Sequence, residues 1–474
     1  MDPRNDTYFY QEPGSRVGDV IPKYIDGRFE IFYLKGYMGP APEGAKHGWH
    51  HISASSVDRL GPSKPIGVMG GTGDLIRVNG TWHLFACIFP EGKQLVTHYV
   101  GIDDSLEHWE YVEEDTFGPD GRIYDLSDWR DPRILWDEAQ GLYHMYLCAR
   151  EKTDHARGGC VGHCVSKDLK HWNYLEPLYA PGRFCGACEC PDVFREGDWE
   201  YLVFSAYTNL YGTYYVKRRV GSDIWQIPAR RFDARAFYAA KTASDGEHRY
   251  LFGWNPTKEE DIFGYWPSNR KEKDLRTYDW GGSMVIHEIT QDAEGNLWLQ
   301  APEEKLRLLG PREELSIPKK GIGYKKETVI PVEQESVTLW EDPGEAFELE
   351  VSFSAERSGE MGVLLKADPE LKQFYSIVVE PERGRMQYKS HIRCTEEGGK
   401  TFPYDVELET FFPVPDDGKY HLQVIVERET GVAYINDKAA LSFRMYDRKE
   451  GHVGAYIPSD GTILHAGLQR FIEK

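Results

Sequence analysis

Four carboxylates, Asp19, Asp74, Asp131 and Glu189, each precede a turn-ending glycine, by 8, 6, 10 and 8 residues. Acidic groups drawn together from separate segments repel one another, so such a gathering needs a use. Cleavage of a glycosidic bond supplies one. A carboxylic acid protonates the leaving oxygen while a second carboxylate attacks or stabilises the oxocarbenium-like centre. Trp49, Trp129 and Trp254 add indole faces able to stack on the apolar side of a sugar ring, with ordinary packing as the alternative for each.

The elements that must position these groups repeat five times. Asp26-Gly27, Asn79-Gly80, Gln140-Gly141, Glu196-Gly197 and Asp245-Gly246 are each followed by an alternating aromatic or aliphatic run such as Thr81-Trp82-His83-Leu84-Phe85. The glycines lie 53, 61, 56 and 49 residues apart. That period fits one four-stranded sheet per copy and not a βαβ unit or a helical repeat. Asp-Gly and Asn-Gly supply the positive φ angles of tight hairpins, and the period-2 alternation marks half-buried strands. Ser105-Leu106-Glu107-His108-Trp109 and Asp168-Leu169-Lys170-His171-Trp172 recur at matching places in the second and third copies and read as turns near the outer edges of two blades.

The expected fold is therefore all-β: a five-bladed β-propeller over residues 1–308, with the innermost strand of each blade lining a central channel. After Pro311 the character changes. Lys319, Lys320, Lys325 and Lys326 mark a polar connector, and longer alternating strands such as Ala346-Phe347-Glu348-Leu349-Glu350-Val351 predict a C-terminal β-sandwich within residues 309–474. Few of its residues look poised for chemistry, so it reads as an accessory module.

Composition agrees. Aromatic residues make up 13% of the chain, with 13 Trp and 29 Tyr, which favours strands over helices. The formal charge of −21 argues against nucleic acid or an anionic membrane as partner. The first residues carry no basic region followed by an apolar run, and no stretch of 18 apolar residues occurs, so a cytoplasmic protein is expected. The eight cysteines lack the spacing of a disulfide scaffold and read as reduced thiols; Cys185, Cys188 and Cys190 form no second matching pair for zinc. The cluster of His47, Trp49, His50 and His51 favours sugar contacts or packing over metal, because histidines at this spacing share a face only on a helix. No cofactor is expected, and the sequence does not fix the oligomeric state.

Several motifs combine into a resemblance. Trp129-Arg130-Asp131-Pro132, Glu189-Cys190-Pro191-Asp192, Asp233 with Phe237-Tyr238-Ala239-Ala240-Lys241-Thr242, Gly253-Trp254 and Trp280-Gly281-Gly282-Ser283 follow in order, and Gly18-Asp19-Val20 precedes the first hairpin. Together they resemble glycoside hydrolase family 32, the invertase, inulinase and levanase family. The resemblance implies a retaining hydrolase of terminal β-fructofuranosyl units in sucrose-like or short fructo-oligosaccharides. Asp19 would be the nucleophile, Glu189 the acid/base with a raised pKa, and Asp131 the transition-state stabiliser. Arg130, Asp74, Trp49, His51 and Trp254 are the candidate substrate-binding residues, and Asp192 is a weaker one.

The first motif departs most from the family's WMNDPNG. Gly18 stands where the family has Asn, and Val20 where it has Pro, which bears on substrate identity more than on reaction type. Gly70-Gly71-Thr72-Gly73-Asp74 also departs, adding an acidic group, and it lacks the Lys and helix of a phosphate-binding loop. Two other readings stay open: an inverting arabinanase or xylosidase of a related propeller family, and a carbohydrate-binding propeller without catalysis.

Overall fold

The computed structural model describes the chain apart from residues 1–6, 42, 45–46, 154–157, 183–184, 208–210, 229, 260–272, 318–321, 324–335, 356–358, 392–405, 459–460 and 473–474. The four connector lysines and Cys394 lie outside the described residues. The protein is all-β: its one described α-helix, Glu303–Leu306, is a single turn. No described helix is long and apolar enough to cross a membrane.

Five antiparallel units follow one another. Their leading strands are Ser15–Ile25, Gly73–Val78, Tyr124–Asp137, Glu189–Glu196 and Tyr238–Ser244, and each pairs with the strand next in sequence. Two of the joining turns have the form their sequence predicts: Asp26 and Gly27 take φ of 49° and 81°, Asn79 and Gly80 take 50° and 86°. Positive φ at both central residues gives the twist that matches paired strands. The Ser105–Trp109 and Asp168–Trp172 segments are turns into the outermost strands of the second and third units, each with a leucine at positive φ, Leu106 and Leu169.

Alternate side chains of each unit meet the next unit. Ile21, Phe32 and Trp49 pack with Leu75 and Leu84; Phe85 and Val96 with Trp129 and Met145; Val161 with Leu202 and Val216. Tyr201 and Val203 pack with Phe237 and Leu251, and Phe252 and Ile286 return to Val17 and Ile31 of the first unit. Burial of these faces is the main term holding adjacent units together, at about 25 cal/mol per Å2 of apolar surface.

The remaining strands form two sheets around one core built from residues such as Phe347, Leu349, Val363, Ile377, Val424 and Phe443. This core is joined to the fourth and fifth units through Ile425, Val432 and Tyr434. Asp233, only 1% exposed, fastens the junction: it accepts the backbone N–H of Ser442 at 2.8 Å and the Ser442 hydroxyl at 2.5 Å.

Two histidine pairs sit at matching places in the second and third units. His83 Nδ1 lies 2.9 Å from His98 Nε2, and His144 Nδ1 lies 2.8 Å from His163 Nε2. Burial, then the neighbouring histidine, pushes His83 and His163 each down to about 4 from an ordinary 6.5. Both therefore stay neutral in the fold while an unfolded chain takes up protons below 6.5. Stability contributed by these sites is present above that pH and lost as pH falls toward 4. Thermal melts between pH 7.5 and 4.5 should show this decline, and replacing His83 and His163 with Gln should flatten it.

Candidate active site

The chemistry-bearing residues share one backbone device. In four of the five leading strands, two residues oppose one on the partner strand: Asp19-Val20 opposite Tyr33, Asp131-Pro132 opposite Leu147, Cys190-Pro191 opposite Phe204 and Ala239-Ala240 opposite Gly253. The first residue of each bulge has positive φ: 25° at Asp19, 58° at Asp131, 49° at Cys190 and 51° at Ala239. A non-glycine residue held there costs about 1–3 kcal/mol, and bulges re-aim side chains. The second unit pairs straight through Gly73 and Asp74 instead.

Aligned on the bulge, Asp19 and Asp131 occupy one position, while Arg130, Glu189 and Tyr238 occupy the position before it. These residues meet. Glu189 Oε1 accepts from Arg130 Nη2 at 2.9 Å and Oε2 from the Tyr238 hydroxyl at 2.5 Å. Arg130 is held in turn by Asp128 and by Gln94 at 3.1 Å, and Asp128 also receives Arg150. Asp131 accepts the backbone N–H of Cys190 at 3.0 Å and stands 3.8 Å from Arg130 Nε. Asp19 accepts from Trp254 Nε1 at 3.3 Å.

Burial and mutual repulsion set the protonation of the cluster. Burial, then the charges of Asp131 and Glu189, push Asp19 up to about 7, against a smaller downward pull from the Trp254 N–H. Burial raises Glu189 as well; Arg130 pulls it down, Asp131 pushes it up, and Tyr238 pulls it down again. Two carboxyl groups that resist ionising together provide one proton donor and one nucleophile at the same pH.

One layer deeper lies a second, ionic set. Asp74, Arg133, Asp192 and Lys241 face Phe85, Tyr146, Val203 and Phe252 on their partner strands, and three of the four directly follow a two-residue bulge. Asp74 pairs with Lys23 at 2.5 Å and Arg133 at 3.1 Å; Arg133 also pairs with Asp192 at 2.9 Å, and Lys241 donates to the Gly73 carbonyl at 3.0 Å.

The expected site residues therefore divide. Asp19, Asp131, Glu189, Arg130 and Trp254 come together. Asp74, expected to contact sugar, is wholly buried in the ionic layer, and Lys23 and Arg133 hold its carboxyl down at about 2 despite that burial. Asp192, also wholly buried, accepts the Thr242 N–H and hydroxyl, each at 2.7 Å. Trp49, at 1% exposure, is sealed between the first two units and donates to the Gly71 carbonyl. His51 is buried in the first unit, stacked on Phe32 and paired with Glu30 at 2.6 Å. Trp129 is likewise core. Trp254, 1% exposed, offers little face for stacking and instead orients Asp19.

Sequence reasoning passed over Tyr238 as a site residue and did not separate Trp280 from its motif. Tyr238 precedes positive-φ Ala239 as Glu189 precedes Cys190, an equivalence that the strand register shows and residue types alone do not signal. Trp280 fills the space where a side chain at position 18 would stand: a Cβ on Gly18 would lie 2.2 Å from its ring, and its centroid is 6.3 Å from that of Trp254.

Comparison with known proteins places this arrangement. Residues 98–302 match the glycosyl hydrolases family 32 N-terminal domain. An insoluble isoenzyme of beta-fructofuranosidase from Arabidopsis thaliana is 24% identical over 364 residues, 64% of this chain and 58% of the relative. The levanbiose-producing levanase of Bacillus subtilis (strain 168) is 22% identical across 93% of this chain and 85% of its own length. The chain thus spans about half to three fifths of the plant relatives it matches. The structure of sucrose-6-phosphate hydrolase from Lactobacillus gasseri superposes with a TM-score of 0.70 at 15% identity, covering 100% of this chain and 94% of that one. Residues 98–302 thus resemble the N-terminal domain of glycoside hydrolase family 32, and the likeness in fold extends along the whole chain.

Proposed function

We propose that the chain is a retaining glycoside hydrolase that releases terminal β-fructofuranosyl units from sucrose-like sugars or short fructo-oligosaccharides. The observation that carries this reading is the convergence of Asp19, Asp131 and Glu189 from three bulged strands, with Glu189 held between Arg130 and Tyr238. The relatives named a beta-fructofuranosidase, a levanase and a sucrose-6-phosphate hydrolase support a fructosyl substrate. In this reading the five units are the blades of one propeller occupying residues 1–308, and residues 309–474 are the connector and β-sandwich.

In the first step an Asp19 oxygen attacks the anomeric carbon. The bond to the leaving oxygen breaks and that oxygen takes the Glu189 proton. In the second step Glu189, now a carboxylate, removes a proton from water, whose oxygen displaces Asp19. Asp131, fixed by the Cys190 N–H, accepts hydrogen bonds from the sugar's hydroxyls as positive charge develops at the ring. Trp280, filling the place beside Asp19, provides an apolar wall against the sugar.

The pH profile follows. Activity falls on the acid side as the nucleophile Asp19 takes up a proton and on the alkaline side as the acid Glu189 loses one, and burial moves both carboxyl groups upward. Tyr238→Phe removes a donor that favours the Glu189 carboxylate. Its alkaline limb should therefore move to higher pH, measured as kcat/KM against pH on sucrose.

The experiment that tests the function is hydrolysis of sucrose and 1-kestose, with arabinosides and xylosides as controls, followed by NMR of the first product. β-Fructofuranose appearing before mutarotation is the expected result. An inverted first product, or turnover of the controls alone, overturns the reading.

A further inference from the structure

The leading strands run past the carboxylates to a second mouth. A cavity of about 860 Å3 opens there, lined by the far ends of four of them: Pro22–Tyr24, Leu135–Asp137, Val193–Arg195 and Thr242–Ser244. From Asp131 to Leu135 the strand advances roughly 13 Å at about 3.3 Å per residue. The ionic layer of Asp74, Arg133, Asp192 and Lys241 lies between. The cavity is therefore separate from the carboxylate site.

Its chemistry is specific. Tyr24 and Trp136 stand on the rim at 38% and 48% exposure, on strands of the first and third units. Exposed aromatic faces beside a concavity of this size, within the ~300–1,000 Å3 of small-ligand sites, offer a stacking surface. His144 lines the wall at 7% exposure; its Nδ1 is engaged by His163, while its Nε2 is buried without a hydrogen-bond partner among the described residues. A buried polar atom left so is costly unless a ligand or water meets it.

The charges discriminate between ligand classes. The cations in the lining are Lys23, Arg133, Arg195 and Arg249, and each is already in an ion pair, with Asp74, Asp74 and Asp192, Glu200, and Glu196. Asp137, Glu138 and Glu200 offset them in the lining itself. An anion would find no uncommitted cation, and an apolar ligand would strand these polar groups. A neutral polyhydroxylated ring suits both: its apolar face meets the aromatics, and its hydroxyls meet His144, the Tyr146 hydroxyl and the paired charged groups.

We infer that the second mouth of the channel is a binding site for a neutral saccharide, separate from the site of bond cleavage. Occupation there would hold the enzyme on sugar-bearing material without competing for the carboxylates.

The test titrates sucrose, fructose and glucose into full-length Glu189→Gln protein, by calorimetry and by tryptophan fluorescence. The same titrations are then made with Trp136→Ala and Tyr24→Ala added. The expected result is a saturable site that weakens by about tenfold or more when the two aromatics are removed and is not displaced by inorganic phosphate. In otherwise native enzyme, Trp136→Ala should leave kcat/KM on sucrose unchanged. Sugar binding indifferent to the aromatic substitutions, no binding beyond the carboxylate site, or displacement by phosphate overturns the inference. Circular dichroism confirms that the variants are folded, and because the readout is binding, it stands whether or not sucrose is the hydrolysed sugar.

Discussion

Asp19→Asn is expected to lower kcat on sucrose by about 10⁵-fold while raising the melting temperature at pH 8. The loss follows from chemistry: the amide oxygen carries no formal charge, so the covalent fructosyl intermediate does not form at a useful rate. The gain follows from electrostatics. Asp19 is pushed up to about 7 in the fold against an ordinary 3.8, by burial and by the charges of Asp131 and Glu189. A carboxyl raised in this way opposes folding increasingly as pH rises from 3.8 through 7. Above that the penalty is complete. The neutral amide escapes it and its Oδ1 still accepts from Trp254, so the stability gain should shrink as pH is lowered toward 4. Retained activity would remove Asp19 from the nucleophile's role. A melting temperature below that of the native enzyme at pH 8 would mean that Asp19 is paired and not strained.

Most of the architecture was legible because it rests on turn chemistry. Asp26-Gly27 and Asn79-Gly80 can scarcely avoid hairpins, and their spacing carries the five-fold repeat. The same repeat located the three carboxylates, although the distance to the next glycine was the wrong ruler. It placed Asp74 beside Asp19, Asp131 and Glu189. The structure aligns Asp74 instead with Arg133, Asp192 and Lys241, one layer below the bulges. Bulges add a residue to one strand without a side-chain signature, and hairpin lengths vary, so counting from the turn loses register by a residue or two.

The aromatic residues show a different limit. Trp129 adjoins Arg130, yet successive strand side chains point to opposite faces, and Trp129 is buried in the third unit's core while Arg130 reaches Glu189. Residue type alone does not decide between these faces. Trp254 and Trp280 are near the carboxylates for packing reasons that only tertiary structure reveals: Gly18 and Gly36 leave the room that Trp280 occupies. The departure at Gly18 is thus compensated, since the side chain absent from position 18 is replaced by an indole from the fifth unit.

Glu189→Gln is expected to lower kcat on sucrose by about 10³-fold, with a loss that depends on the leaving group. The fold should survive the substitution, because Arg130 keeps Asp128 and Gln94 and the Tyr238 hydroxyl can donate to the amide oxygen. A sugar alkoxide leaves poorly without a proton, so sucrose should suffer the full loss. An aryl β-fructofuranoside, whose phenolate departs unaided, should still fructosylate Asp19 and then stall, since no base activates water. Added azide needs no base. It should accelerate turnover of the aryl substrate and give a fructosyl azide of the original β configuration. An inverting enzyme forms no covalent intermediate for azide to intercept, so an α-azide would replace the double displacement with a single one. Azide indifference, with equal losses on both substrates, would instead take the acid/base role away from Glu189 and leave it as a partner that positions Arg130.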